Sequence, residues 1–123
     1  MNPGLIKSQV AGAAIAARRI VKPHTADGQV VQAAAATDSL MGVTGLLAAE
    51  SGERCDVTKI GVALVEFGGT VTRGGPVTAD ANGKAVAAAP SAGANVRIIG
   101  FAEISAVSGD IAPVLLSPGV MQG

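Results

Sequence analysis

A chain of 123 residues with nine basic and nine acidic side chains has room for one small domain and carries no net charge. That balance excludes the basic footprint of a nucleic-acid binder, and two phenylalanines with no Trp or Tyr leave little on which bases or sugar rings could stack. The apolar share of 49% excludes a chain disordered by composition, but a core of Val, Ile, Leu and Ala buries less area per residue than rings do. Such a core leaves a domain of this size marginal by itself, so a homo-oligomer or a permanent partner is expected.

Pro3 and Gly4 predict an extended start. From Ser8 a short Ala-rich helix is the competing reading, but helices this short are marginal in water. Residues 1–16 are therefore expected to be an arm that orders against a neighbour. The stretch is too weakly apolar for a secretion signal, and Arg18-Arg19 follows it directly. Ala17 to Pro23 reads as a first strand, His24 to Gly28 as a turn around Asp27-Gly28, and Gln29 to Ala34 as the return strand. A loop around Thr37-Asp38-Ser39 leads to Met41–Leu47, a strand interrupted by two glycines, and then to the polar turn Glu50–Glu53.

Asp56 to Glu66 is the stretch around which the rest is expected to be arranged. Ile60, Val62 and Leu64 share one face, and Val57, Ala63, Val65 and Phe67 share the other. A strand apolar on both faces is ordinarily buried on both, which predicts the central strand of a β domain. Gly68-Gly69 supplies a tight reversal, Pro76 a strand start or edge, and Asn82-Gly83 a hairpin turn. Ala85–Ala94 reads as a short edge strand and loop, Asn95–Val107 as a long strand, and Ile111–Leu116 as the last strand, with Pro113 marking an edge or bulge. The predicted fold is all-β, a small antiparallel sandwich, jelly roll or barrel over residues 17–116, with the N-terminal arm and a C-terminal tail at 117–123.

One internal echo stands out. Met41-Gly42-Val43 leads to Ser51-Gly52-Glu53 and Val57, and Ile99-Gly100-Phe101 leads to Ser108-Gly109-Asp110 and Val114. The shared pattern is an apolar-Gly strand, a Ser-Gly-acid turn and a second strand, as in two similar hairpins. Two copies fall short of a solenoid.

Few residues could carry chemistry. His24 is the only histidine and lies beside Pro23 before a polar turn, which fits a surface residue better than a general base. Cys55, flanked by Arg54 and Asp56, has no histidine near it in sequence. One Cys excludes an internal disulfide, and one Cys with one His makes a zinc site improbable. The glycine pairs lack the spacing of a phosphate loop, and Asp80–Gly83 lacks the further ligands of a calcium loop. No apolar run reaches the length of a membrane span. The expectation is a chain without catalysis, cofactor or metal. Arg18, Arg19 and Lys22 form a modest basic cluster, either a solvated strand face or a charged contact with a partner.

The order of several motifs resembles a known family. Asp27 through Ala34 is followed by Met41-Gly42-Val43, by Gly69 through Thr78 and by Asp80 through Ala85. Ile99 through Ala102 and Gly109 through Leu116 complete the series. Together they are similar to the small capsid cement, or decoration, proteins of tailed bacteriophages, a family once catalogued as a domain of unknown function and sometimes mislabelled a recombinase. The resemblance spans about Arg19 to Met121. It implies an all-β protein on the outside of an icosahedral head, made in the host cytoplasm, whose partners are the major capsid protein and itself, as a homodimer at local two-folds or a homotrimer at local three-folds. Many weak contacts would act together there against the pressure of packaged DNA. The terminal segments are the expected capsid contacts, through Leu5, Ile6, Lys7, Val10, Arg18, Arg19, Lys22, Val120 and Met121. The alternatives are a non-catalytic β module that binds carbohydrate or a host surface, and a recombinase accessory, which would need a nucleotide loop or basic surface that the sequence lacks.

Overall fold

Short runs of Val, Ile and Ala between glycine turns give ten strands and, among the described residues, no helix. The structure, a computed structural model, describes residues 6–122. The strands are β1 (Ile6–Ala11), β2 (Ile20–Pro23), β3 (Gln29–Gln32), β4 (Gly42–Thr44) and β5 (Arg54–Thr58), then β6 (Gly61–Glu66), β7 (Pro76–Ala79), β8 (Ala85–Ala87), β9 (Asn95–Ala102) and β10 (Ile111–Gln122). The first five close into a barrel in the order β1-β3-β2-β4-β5. The last five form a sheet in the order β6-β10-β9-β7-β8, and its two edges meet at a parallel bridge between Phe67 and Ala85.

The all-β expectation holds, and the duplication runs much further than two hairpins. β1 to β5 correspond one by one to β6 to β10. In the first half β1 pairs antiparallel with β5 and parallel with β3; in the second β6 pairs antiparallel with β10, and Phe67 supplies the parallel contact to β8. β2 pairs with β3 and β4 as β7 pairs with β8 and β9. The isolated bridge Ile15↔Ala49 has its counterpart in Val71↔Ala106. The hydrogen bonds repeat as well. Ala11 N–H donates to Glu53 O and accepts at its own carbonyl from Gly52 N–H, as Phe67 does with Asp110 and Gly109. Four equivalent turn positions take a positive φ: Arg18 (59°), Gly52 (87°), Gly74 (84°) and Gly109 (92°). Glycine fills three of them because it enters this region without a Cβ clash.

Burial follows the two halves. Ala11, Ile15, Val21, Val30, Ala49, Cys55 and Val57 fill the barrel, with Met41 packed against them. A larger cluster surrounds Phe67 inside the second sheet and continues into Ile20, Ala33, Leu40 and Val43 of the first half. The halves therefore share a core. Backbone bonds stitch the joint: Ile20 N–H to Gly83 O at 2.9 Å, Glu66 N–H to Arg18 O at 3.0 Å and Arg97 N–H to Ala36 O at 2.7 Å.

Three sequence expectations give way. The predicted central strand is two strands in different halves, because the chain turns at Lys59-Ile60 and Gly61 takes a φ of 103°. β6 then lies at a sheet edge, with Val62 and Leu64 outward. The arm expected over residues 1–16 is not an arm where it is described: β1 is a barrel strand, and Ala11 and Ile15 are 1% and 2% exposed. The tail expected at 117–123 is, over residues 117–122, the end of β10. Past an irregularity between Leu116 and Gly119 it pairs with β9, Val120 opposite Arg97 and Met121 opposite Val96.

Candidate interaction surface

The outward face of the second sheet is apolar. Register places Val62, Leu115, Phe101 and Pro76 in one row across β6, β10, β9 and β7. Leu64 and Pro113 sit opposite each other in the next row, and Ile111 lies beside Glu66 beyond it. Leu115 is 44% exposed, Leu64 41%, Val62 38% and Phe101 37%. The inward residues between them, Ala63, Val65, Val114 and Ala102, are buried. Contiguous exposed apolar patches are the kind of surface at which folded proteins meet other molecules. The sequence signal for it was present in Val62 and Leu64, but an apolar face awaiting a partner and one buried within the chain look alike in a strand.

Beside this face an ion-pair clamp joins the halves. Arg19 Nη1 lies 2.7 Å from Glu66 Oε1, and Lys84 Nζ 3.2 Å from Glu66 Oε2. Arg19 also donates through Nε to Asn82 O and through Nη1 to Ala17 O. The hydrogen bond from Arg19 holds the Glu66 carboxyl below its ordinary range; burial opposes it, and Lys84 adds to the lowering. A second pair, Lys22 Nζ to Asp38 Oδ2 at 3.2 Å, lies within the barrel half. Burial pushes the Asp38 carboxyl up, but the N–H groups of Ala34 and Ala35 and the Lys22 ammonium outweigh it, so Asp38 too is lowered. Both carboxyls have folded values below their unfolded ones. Their stabilisation is complete above the unfolded values near 4.5 and 3.8 and is lost as pH falls through the folded values. Thermal melts should therefore decline in midpoint below about pH 4.5. Glu66→Gln should flatten that decline and lower stability at pH 7 by about 1 kcal/mol, because the pair is partly exposed. An unchanged acid limb in Glu66→Gln would remove the clamp from the account.

The sequence-expected contact residues are scattered. Leu5 lies outside the described residues. Ile6 is 46% exposed at the start of β1, Lys7 pairs through its backbone with Val57, and Val10 is half-buried. Arg18 occupies the strained turn, with its Nε buried and unpartnered. Arg19 and Lys22 are engaged by Glu66 and Asp38. Val120 is 60% exposed at the far end of β10, and Met121 is half-buried. The structure thus brings Arg19 and Lys22 into internal pairs and does not gather them with Val120 and Met121.

A surface depression of about 750 Å³ is lined by Leu46, Leu47, Arg54, Cys55 and Asp56 among others. Burial, with the Asp56 charge beside it, pushes the Cys55 thiol up, which works against a nucleophilic thiolate. The exposed His24 lays its ring against Gly12, in the other chain segment of the barrel. Among the described residues no three His, Cys, Asp or Glu side chains group as metal ligands would.

What the fold and surface define is a duplicated all-β protein with an apolar sheet face. No family model and no curated protein matches the sequence. Among solved structures the chain is similar to the head fibre gp8.5 N base of bacteriophage phi29, at 18% identity and a TM-score of 0.70, over 92% of this chain and 93% of that one. The two share a fold along nearly their whole lengths.

Proposed function

We propose that this chain is a structural protein of a tailed-phage head: a cement or decoration protein that binds the outer surface, bridges neighbouring major capsid protein subunits and associates with itself. The observation that carries the reading is the fold held in common, nearly end to end, with the base of a phage head fibre. The motif resemblance to head cement proteins points the same way and arises from different evidence. The physical chemistry agrees: the charge is balanced, Arg19, Lys22 and Lys84 are engaged in internal pairs, and the outward face of the second sheet is apolar. Ile6 and Val120 are exposed members of the expected capsid-contact set, which also holds Leu5, Lys7, Val10, Arg18, Arg19, Lys22 and Met121.

Cosedimentation with undecorated heads of the cognate phage tests the proposal. Binding should saturate at a fixed ratio to the major capsid protein and should raise the temperature at which heads release DNA. Folded, monodisperse protein that stays in the supernatant at every concentration would overturn it.

A further inference from the structure

The duplication sets the strand that closes the first half beside its equivalent in the second. β6 is tied into the chain at both ends, by the turn at Lys59-Ile60 before it and by Gly68-Gly69 after it. β1 is the first strand, and among the described residues one connection, residues 12–19, ties it to its barrel. Its grip is also weaker. β6 turns Val65 and Phe67 inward, both fully buried. At the same positions β1 has Gln9 and Ala11, and the Gln9 Oε1 is buried without a partner.

The connection after β1 departs from its equivalent in the same direction. Ile15 bridges Ala49 as Val71 bridges Ala106, and the chain then turns at Arg18 as it does at Gly74. Gly74 takes its φ of 84° without a Cβ. Arg18 takes 59° with one, and among the described residues no other non-glycine has a positive φ. An L-residue is strained there. The Arg18 Nε is buried and unpartnered as well, which counts further against the turned form. Ala17 and Arg18 are both half-buried, at the surface end of the connection.

We infer that residues 6–16 are exchanged between two copies of this chain, with Ala17-Arg18 as the hinge: β1 of each copy closes the barrel of the other, between that copy's β3 and β5. Exchange keeps the contacts of β1 and Ile15 and changes only which chain supplies them, so the hinge decides between the closed and the exchanged forms. A short hinge under strain favours exchange. Two copies that trade the same element form a closed pair with two-fold symmetry. The inference rests on the self-association in the function proposed above and deepens it. It is tested without heads, so its failure and the failure of head binding are separate results.

The test is where a covalent link across the β1–β5 pair falls. Ser8 and Asp56 are directly opposite and both exposed, at a separation that a disulfide spans. Protein carrying Ser8→Cys and Asp56→Cys, with Cys55→Ala, is oxidised with glutathione disulfide and run denatured without reductant. Exchange gives a band at twice the 11.9 kDa chain, which reduction returns to one. Wild-type protein should sediment as the same pair. Arg18→Gly relieves the strain in both hinges and should shift the equilibrium toward single chains by about 30-fold. Gln9→Cys, opposite the native Cys55, serves if the first variant does not fold. A linked protein that runs at the mass of one chain overturns the inference, because β1 then closes its own barrel, even where sedimentation shows a pair made through another surface. So does a monomeric wild-type protein, or an Arg18→Gly variant as fully paired as the wild type. Thiols that stay reduced in both variants overturn it too, since β1 and β5 of any two chains would then not be neighbours.

Discussion

Removal of residues 1–11 is expected to yield a chain that no longer unfolds cooperatively. β1 is the strand that closes the barrel: five of its residues pair with β5, from Ile6↔Thr58 to Val10↔Arg54, and Val10 and Ala11 pair with β3 on the other side. Its loss opens β5 and β3 along an edge each and exposes Val30, Cys55 and Val57, now buried in the barrel. Each lost backbone bond costs about 1 kcal/mol net, and a domain has roughly 5–15 kcal/mol in all. The truncated chain should lose its urea transition and collect in the insoluble fraction. An independent arm would behave otherwise: its deletion would remove partner binding and leave the melt untouched. A truncated protein with the wild-type midpoint would place β1 outside the cooperative unit.

Why β1 was illegible follows from its residues. Gln9 points into the barrel, 7% exposed with its Oε1 unpartnered, at the position that Val65 fills in the second half. With Gln and Ala on the inner face and Val10 turned partly out, the stretch from Ile6 to Ala11 has no clean alternation to mark a strand. By contrast, Asn82-Gly83, Asp27-Gly28 and Ser108-Gly109-Asp110 were legible because turn chemistry is local: a positive φ selects glycine whatever the tertiary fold. The duplication was visible only at Met41–Val57 and Ile99–Val114 for a related reason. Those segments share their turn residues, whereas Arg18 stands where its equivalent turn has Gly74, and the matched strands share little beyond their pairing. The outward apolar face was half legible. Val62 and Leu64 announced an apolar strand face, but only register against Leu115 and Phe101 shows that it is open.

The second large effect is expected at Phe67. Its ring is the largest fully buried side chain among the described residues, at 0% exposure, and it belongs to the core cluster that the two halves share. Its surroundings have little capacity to fill a void. Val71, Ala85, Ala106 and Ala112 are short side chains in the same cluster. The backbone around it is pinned by Phe67 N–H to Asp110 O at 2.7 Å, Gly109 N–H to Phe67 O at 2.8 Å and Gly68 N–H to Ala85 O at 2.8 Å. A site that cannot collapse keeps its cavity, so Phe67→Ala should cost about 3–5 kcal/mol. For a domain of this size that lowers the thermal midpoint by roughly 10–20 °C. Phe101→Ala is the matched control. It removes the same ring from an open face, and it should cost under about 1 kcal/mol. Denaturant titration of both variants decides the matter. Equal losses would mean that Phe67 does not hold the shared core.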